Sequence, residues 1–208
     1  MRDRFTELDY GLSLLSLMYH QDWRSSGDWT AVLEIFLWED QTPPAVLALY
    51  EDAAAFSSLS RVEIEDVWTA STDENFIFGR DADSGDDFLS VIQERSRTWL
   101  VARGIPTPSA GVPIPKRAPA EAVGAQIGSL MAWSDVDGRL VGTFSVLKRF
   151  AETSSPDLAF RLFLRIVDAR RMEISSQLYH EFVLLGRSLN FGDFVVSSLE
   201  YLVSDTNG

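Results

Sequence analysis

The segment Ser155–Val167, with the sequence SPDLAFRLFLRIV, predicts a helix that is apolar on most of its sides. Ser155 is a residue type that caps helices, and the proline that follows it suits a first helical turn. From Asp157 onward, apolar residues occupy most of the circumference instead of one exposed stripe. Such a helix usually lies at the centre of a bundle, so we expect other helices to bury this segment.

Helical patterns of apolar residues extend over nearly the whole chain of 208 residues. Near the N-terminus, three- and four-residue steps predict one face of a first helix, at Phe5, Leu8, Leu12, Leu15 and Tyr19. The other predicted helices are one that follows Asp28 and buries Val32, Ile35 and Phe36, and then 42–56, 60–70, 86–103, 121–133, 139–151, 157–170, 175–189 and 193–203. The sequence therefore predicts an all-α protein, a multi-helix bundle of about ten helices.

Several of these helices have recognisable ends. Thr42 before Pro43 is a cap residue followed by proline, and Ser60 with Glu63 three residues later predicts a capping box. Gly104 predicts a stop after the helix that ends near residue 103. The helix limits in the first half of the chain thus follow from local sequence.

A proline-rich segment separates the two halves of the chain. Residues 105–120 read IPTPSAGVPIPKRAPA and hold five of the eight prolines, a density that forbids a helix and favours extended backbone. This segment predicts a linker between an acidic helical domain, 1–104, and a second helical domain, 121–208. The alternative is a rigid arm packed across the surface of a single bundle that continues through 121–208.

The net charge of −13 lies almost entirely in the first half of the chain. Residues 1–104 carry 8 Lys and Arg against 20 Asp and Glu, whereas residues 105–208 carry 10 against 11. A strongly acidic surface repels phosphate backbones and anionic lipids and attracts basic proteins. We therefore predict no nucleic-acid or membrane partner.

The composition also limits cofactors and location. The chain has no cysteine, and His20 and His180 are its two histidines, so neither a thiolate site nor a histidine-rich metal site is expected. We predict no cofactor. The apolar stretch near the N-terminus follows Asp3, Glu7 and Asp9 instead of a basic region, and no run of about 20 apolar residues occurs. The sequence therefore predicts a cytoplasmic protein.

Residues 72–87 form an acidic, glycine-interrupted segment. It contains six carboxylates of interest, at Asp73, Glu74, Asp81, Asp83, Asp86 and Asp87. The apolar NFIF inside it predicts a short strand or an apolar anchor for a loop. The carboxylates could form a solvated loop, a docking surface for a basic partner, or a site for a hard cation, although their spacing matches no known calcium loop.

Other motifs that could carry chemistry fail on their details. The stretch WSDVDGRLVGTF resembles a calcium loop, but Trp133 and Phe144 occupy the first and twelfth positions, where oxygen ligands are required. We expect a tight helix–helix turn there and no metal site. No nucleophile elbow or phosphate-binding loop occurs, and no carboxylate pair stands out. We predict no catalytic residues and no enzymatic activity.

The segment Leu17–Trp23, LMYHQDW, ends the first predicted helix with polar and aromatic residues. Tyr19 and Trp23 are four residues apart and are expected to share one face and to hold the next helix. Gln21 and Asp22 can accept hydrogen bonds from backbone donors at the following turn, and a helix C-terminus favours a protonated His20. On physical grounds the segment is predicted to be structural, with contact to a partner and catalysis as the alternatives.

Tyr19, His20, Gln21, Asp22 and Trp23 resemble the aromatic-His-Gln-Asp-aromatic signature of a family of bacterial immunity proteins of contact-dependent growth inhibition and related polymorphic toxin systems. The leucine-rich helix before the signature and the RTWLVARG end of a later helix, with Trp99 and Leu100, fit this resemblance, which covers residues 5–104. Met18 departs from it, since family members commonly have an aromatic residue there.

The resemblance implies an all-helical protein without catalysis that binds the C-terminal toxin domain of a sibling cell's effector, in some cases a ribonuclease. A nuclease cleft is typically basic, and an acidic surface complements it. We therefore predict that Asp73, Glu74, Asp81, Asp83, Asp86 and Asp87 bind the toxin, and that residues 19–23 belong to the scaffold. We further expect charge reversal at Asp81, Asp83, Asp86 and Asp87 to leave the fold intact. The alternative is a helical adaptor that binds another protein through its C-terminal half.

Overall fold

The computed structural model describes residues 8–108, 120–133 and 138–204. Ten α-helices form nearly all of the regular structure in this part of the chain, which confirms the predicted all-α bundle. The chain divides into two compact units. The first unit is Tyr10–Pro115, and the second comprises Met1–Asp9 together with Lys116–Gly208.

The first unit contains five helices: α1 (Gly11–Met18), α2 (Trp29–Phe36), α3 (Pro43–Phe56), α4 (Arg61–Ser71) and α5 (Gly85–Val101). A 3₁₀ helix, Trp23–Ser26, lies between α1 and α2. The predicted capping box of Ser60 and Glu63 is present at the start of α4. In the centre of the unit, α3 packs mainly on α5 and α1.

The first helix is shorter than predicted. It begins at Gly11 after an extended Tyr10, and Leu8, which was expected on its apolar face, is 64% exposed. The cause is a long-range cap, because the carboxylate of Asp52 on α3 accepts the Leu12 amide at 3.0 Å. Gly11 adopts φ +62°, and a Cβ atom there would collide with the Asp52 carboxylate. Phe5 lies outside the described residues.

The predicted buried face of α2 is partly wrong. Val32 and Phe36 are buried, but Ile35 is 52% exposed. The third buried residue is Leu33. In this eight-residue helix the buried residues Leu33 and Phe36 lie one and four positions after Val32, and Ile35, three positions after it, faces solvent.

The second unit also contains five helices: α6 (Ala120–Trp133), α7 (Gly138–Thr153), α8 (Pro156–Ala169), α9 (Ser176–Ser188) and α10 (Asp193–Ser197). Strand β1 (Ile174–Ser175) pairs in parallel with β2 (Val203–Ser204). The helix predicted over 193–203 thus ends at Ser197, and a 3₁₀ helix, Glu200–Leu202, leads into β2. Val203 and Ser204 form a strand because they pair with β1. Local sequence propensity does not reveal this pairing.

The central helix is α8, as predicted. The side chain of Ser155 accepts the Leu158 amide, and every residue from Pro156 to Val167 is buried. Two of the buried residues are arginines: Arg161 pairs with Asp157 at 3.3 Å, and Arg165 pairs with Asp168 at 3.2 Å. Pairing within one helical turn lets a charged helix occupy the core.

The two units meet in sequence between Pro115 and Lys116, inside the proline-rich segment, and the residues up to Asp9 belong to the second unit. Asp9 belongs to the second unit, where its carboxylate lies 3.6 Å from Arg165 and both side chains are nearly buried. The predicted domain 1–104 therefore begins at Tyr10 in the structure. Residues 109–119 of the proline-rich segment lie outside the described residues.

Two smaller sequence expectations concern turns. The stretch that resembles a calcium loop, WSDVDGRLVGTF, continues into α7, which begins at Gly138. Residues 134–137, where a tight turn was expected, lie outside the described part of the chain. The apolar NFIF forms an isolated bridge from Phe78 to Ala82, and Phe76 is a buried anchor. None of the helices in the described ranges is long and apolar enough to cross a lipid bilayer.

Candidate functional site

The signature segment divides into buried aromatic residues and exposed polar ones. Tyr19 and Trp23 are buried, with ring centroids 5.3 Å apart, whereas His20, Gln21 and Asp22 are exposed. The Tyr19 hydroxyl donates to the carbonyl of Trp29 at 3.0 Å and so holds the start of α2. Burial, with a smaller contribution from the charge of Asp28, raises the pKa of the Tyr19 phenol.

The predicted helix end differs in detail. α1 ends at Met18, so Tyr19 follows the helix and Trp23 begins the 3₁₀ helix. The Asp22 side chain makes no capping hydrogen bond there. Instead the Asp22 amide donates to Nδ1 of His20 at 3.3 Å, so the exposed imidazole acts as an acceptor in this turn. The two aromatic residues meet through tertiary folding and not through shared helical geometry.

Six aromatic rings connect the signature segment to the acidic segment. They are Tyr19, Trp23, Trp68, Phe76, Phe78 and Phe88, and the centroids of neighbouring rings lie between 4.7 and 6.2 Å apart. Phe76 and Phe78 come from the NFIF stretch. The acidic segment is therefore packed onto the same core as the signature and is not a free loop.

Hydrogen bonds hold the acidic segment in place against the signature. The indole Nε1 of Trp23 donates to the carbonyl of Asn75 at 3.0 Å, and Nη2 of Arg24 donates to the same carbonyl at 2.7 Å. The Arg24 guanidinium also lies 4.6 Å from the centroid of the Trp23 ring. Arg24 and Asn75 were not among the predicted site residues, although Arg24 follows the signature directly in sequence.

Asp81 is the centre of these contacts. Its side chain is 5% exposed, and its carboxylate accepts Nη2 of Arg24 at 2.9 Å, Nη2 of Arg80 at 2.8 Å and the amide of Ile77 at 2.8 Å. We call this group, Arg24, Arg80, Ile77 and Asp81, the Asp81 anchor. It closes the acidic segment onto the signature, so Asp81 has a structural position within the first unit.

The Asp81 anchor makes the first unit sensitive to acid. Burial alone would raise the pKa of Asp81, but hydrogen bonds from Arg80, the Ile77 amide and Arg24 outweigh it and hold the pKa below the ordinary value of 3.8. The ionised carboxylate therefore adds stability above its unfolded-state pKa, and this contribution is lost as pH falls through the folded-state pKa.

We expect Asp81→Asn to remove this pH-dependent contribution. The difference in the free energy of unfolding between the wild type and Asp81→Asn should be largest near neutral pH and should shrink below about pH 4. Urea denaturation at a series of pH values measures it. A difference that stays constant down to about pH 2 would show that the ionised carboxylate is not the stabilising form.

The remaining five carboxylates are exposed but lie in two groups. Asp73 and Glu74 follow α4 and adopt left-handed backbone, with φ of 51° and 60°. Asp83, Asp86 and Asp87 lie at the start of α5, which adjoins the start of α4. There the Gly85 amide donates to Glu65 at 3.0 Å. The length of α4 separates the two groups by about 15 Å, at 1.5 Å per residue.

The carboxylates at the start of α5 are exposed, but this end of the helix also contains local hydrogen bonds and an ion pair. The hydroxyl of Ser84 accepts the Asp87 amide at 3.2 Å and donates to the Asp87 carboxylate at 2.7 Å. Arg61 pairs with Glu65 at 2.8 Å, and this bond, with further attraction from Asp86 and Asp87, raises the pKa of its guanidinium. Acidic residues in a first helical turn also stabilise the helix.

Charge reversal at the four positions is therefore expected to affect the fold differently from one position to another. Asp83 and Asp86 are exposed, and lysine at these positions meets solvent. Lysine at position 81 would instead be placed between Arg24 and Arg80. The physical reason is that Asp81 neutralises two cations that its own fold brings together.

No metal-binding cluster is found among the described residues. In those ranges no group of three or more His, Asp or Glu side chains is placed to hold a metal ion. A shallow pocket of about 200 Å³ lies between α9 and α10 in the second unit, with Tyr179, Arg187, Phe191 and Asp193 among its lining residues. No predicted site residue lines it. No family model, no curated protein and no solved structure matches this chain.

Proposed function

We propose that this protein is an immunity protein. It binds the C-terminal toxin domain of a contact-dependent growth inhibition effector in the cytoplasm and blocks its basic surface by charge and by steric exclusion. The observation that carries the proposal is the placement of exposed carboxylates at both ends of α4, on a segment that the Asp81 anchor holds against the signature residues. We call Asp73, Glu74, Asp83, Asp86 and Asp87 together the acidic edge.

The charge of the first unit supports a basic partner. Tyr10–Pro115 carries six arginines and no lysine against seventeen Asp and Glu, a net charge of −11. Two of the six arginines, Arg24 and Arg80, are already bound to Asp81. A nuclease attracts polyphosphate, so its active surface is typically basic, and a surface of this charge accelerates association with it and favours it over neutral proteins.

The rigidity of the acidic edge supports the same function. The left-handed turn at Asp73 and Glu74 is closed by the Glu74 amide, which donates to the carbonyl of Thr69 at 2.9 Å. At the other end, Ser84 caps α5. Carboxylates carried on an ordered backbone lose less conformational entropy when a partner binds than those on a free loop, so more of the interaction energy appears as affinity.

The test is charge reversal at the start of α5. We expect Asp83→Lys with Asp86→Lys to slow association with the toxin domain by about 10- to 100-fold at low salt, because steering depends on the sign of the charge, and to abolish protection of growing cells. The partner used is the small basic C-terminal domain of a large secreted protein, which the proposed function expects to be encoded directly upstream of this gene. Stopped-flow association kinetics at two salt concentrations and a growth assay measure the effect.

The matched control reverses two other exposed acids, Glu94 and Glu173, and so changes the net charge equally. We expect this control to retain protection. Equal loss in both variants would show that net charge alone matters, and unchanged association in the Asp83→Lys, Asp86→Lys variant would remove the start of α5 from the interface. If the wild type does not bind the toxin domain at all, the adaptor alternative is favoured, in which exposed Leu184 and Phe194 near the second-unit pocket contact another protein.

A further inference from the structure

A second surface of the first unit combines an exposed tryptophan with carboxylates. Trp38 follows α2 and is 55% exposed, and Ile35, one turn earlier, is also exposed. Glu39 and Asp40, the next two residues, are exposed as well. Tryptophan is among the residues that most often dominate binding energy at protein interfaces. Its exposure beside two acids therefore calls for an explanation.

The exposure of Trp38 does not come from a loose loop. Its carbonyl accepts both the indole Nε1 of Trp99 and the amide of Gln41, each at 3.2 Å. Nη2 of Arg103 donates to the carbonyl of Glu39 at 2.9 Å, and the side chain of Gln41 donates to the carbonyl of Phe36 at 3.2 Å. The end of α5 thus holds the main chain of this turn while the indole of Trp38 faces solvent.

The other tryptophans of the unit indicate what chemistry suits this surface. Trp23 carries the guanidinium of Arg24 at 4.6 Å from its ring centroid, and Trp99 carries that of Arg103 at 3.7 Å. Among the described residues, no arginine or lysine covers Trp38 in this way. An indole face is attractive to a guanidinium, and neighbouring carboxylates strengthen that attraction.

We propose that Trp38, Glu39 and Asp40 form a second contact surface for a basic protein, on which an arginine of the partner stacks against the indole while neighbouring cations pair with the two carboxylates. Charge complementarity selects this occupant, because the unit carries a net charge of −11 and the turn itself is acidic. The identification of the partner as the toxin domain rests on the proposed function, but the preference for arginine can be measured without the toxin.

The experiment uses the full chain and two peptides of equal length, hexa-arginine and hexa-citrulline, the second of which lacks the charge. Nitrogen-15 NMR of the indole groups, with Trp38 assigned from Trp38→Phe, should show the Trp38 signal moving with hexa-arginine and not with hexa-citrulline. Trp38→Ala should weaken hexa-arginine binding about two- to five-fold, the effect of an exposed cation–π contact. The control variant, Glu94→Gln with Glu173→Gln, removes two exposed charges elsewhere. It should bind hexa-arginine as tightly as the wild type, because Trp38, Glu39 and Asp40 are unchanged.

Three results would overturn the surface: a Trp38 signal that does not move at saturation, equal binding of Trp38→Ala and the wild type, or equal shifts with the two peptides. The toxin domain separates the two proposals. If it binds the wild type and Trp38→Ala equally, the proposed function stands and the Trp38 surface is not part of it. If hexa-arginine binds at Trp38 while the toxin domain does not bind at all, the surface stands and the immunity function falls.

Discussion

Replacing Asp81 with lysine is expected to lower the free energy of unfolding of the first unit by about 3 kcal/mol or more. The carboxylate is 5% exposed and accepts hydrogen bonds from Arg24, Arg80 and the Ile77 amide. Lysine would leave that amide without its acceptor and would place a third cation between two arginines. The Arg24 and Arg80 side chains are about half exposed, so most of the loss comes from placing the lysine charge at a nearly buried position and from leaving the Ile77 amide without an acceptor.

Urea denaturation followed by tryptophan fluorescence measures this effect. Five of the six tryptophans lie in Tyr10–Pro115, so the signal reports mainly on the first unit. The matched control is Asp83→Lys, which makes the same change of charge two residues away at an exposed position and should alter stability by less than about 1 kcal/mol. Similar losses in the two variants would mean that overall charge, and not the Asp81 anchor, determines the stability.

The second large effect is expected from Trp23→Ala, about 3–5 kcal/mol of destabilisation. The Trp23 side chain is 3% exposed and stacks on Phe76 with centroids 5.9 Å apart. Alanine would open a cavity in the aromatic cluster that joins the signature to the acidic segment. It would also remove the indole donor to Asn75 and the ring on which Arg24 lies.

Trp38→Ala is the matched control, since it deletes the same side chain at an exposed position and should change stability by no more than about 0.5 kcal/mol. Thermal unfolding followed by far-ultraviolet circular dichroism compares the variants without relying on the deleted fluorophore. If Trp23→Ala were as stable as Trp38→Ala yet no longer bound the toxin domain, Trp23 would belong to the interface and the scaffold prediction for residues 19–23 would be wrong.

The signature and the acidic segment are parts of one structural unit. Signature and acidic segment were predicted to have separate roles, one as scaffold and one as docking surface. The structure places them on one aromatic core, and the exposed His20, Gln21 and Asp22 immediately precede the tryptophan that binds Asn75. A change at the signature is therefore expected to alter the presentation of the acidic edge as well as stability.

Local sequence was sufficient for most of the helices and for several of their starts. The cap at Ser155, the capping box at Ser60 and the central burial of α8 all follow from neighbouring residues, because caps and apolar periodicity act within one or two helical turns. The predictions for Leu8 and Ile35 were wrong. The start of α1 depends on a distant contact, and the face of α2 that is buried depends on the core against which α2 packs. For Leu8 that contact is the cap from Asp52, 40 residues away from Leu12.

Composition and pattern by themselves determined an all-helical, strongly acidic chain, and left open whether its proline-rich segment divides two domains or packs across one. Only the tertiary structure decided which carboxylates are available to a partner. Asp81 is indistinguishable from Asp83 in the sequence, but Arg24, 57 residues away, binds one and not the other. Charge is a property of each residue, whereas burial and pairing depend on which distant residues the fold brings within hydrogen-bonding distance.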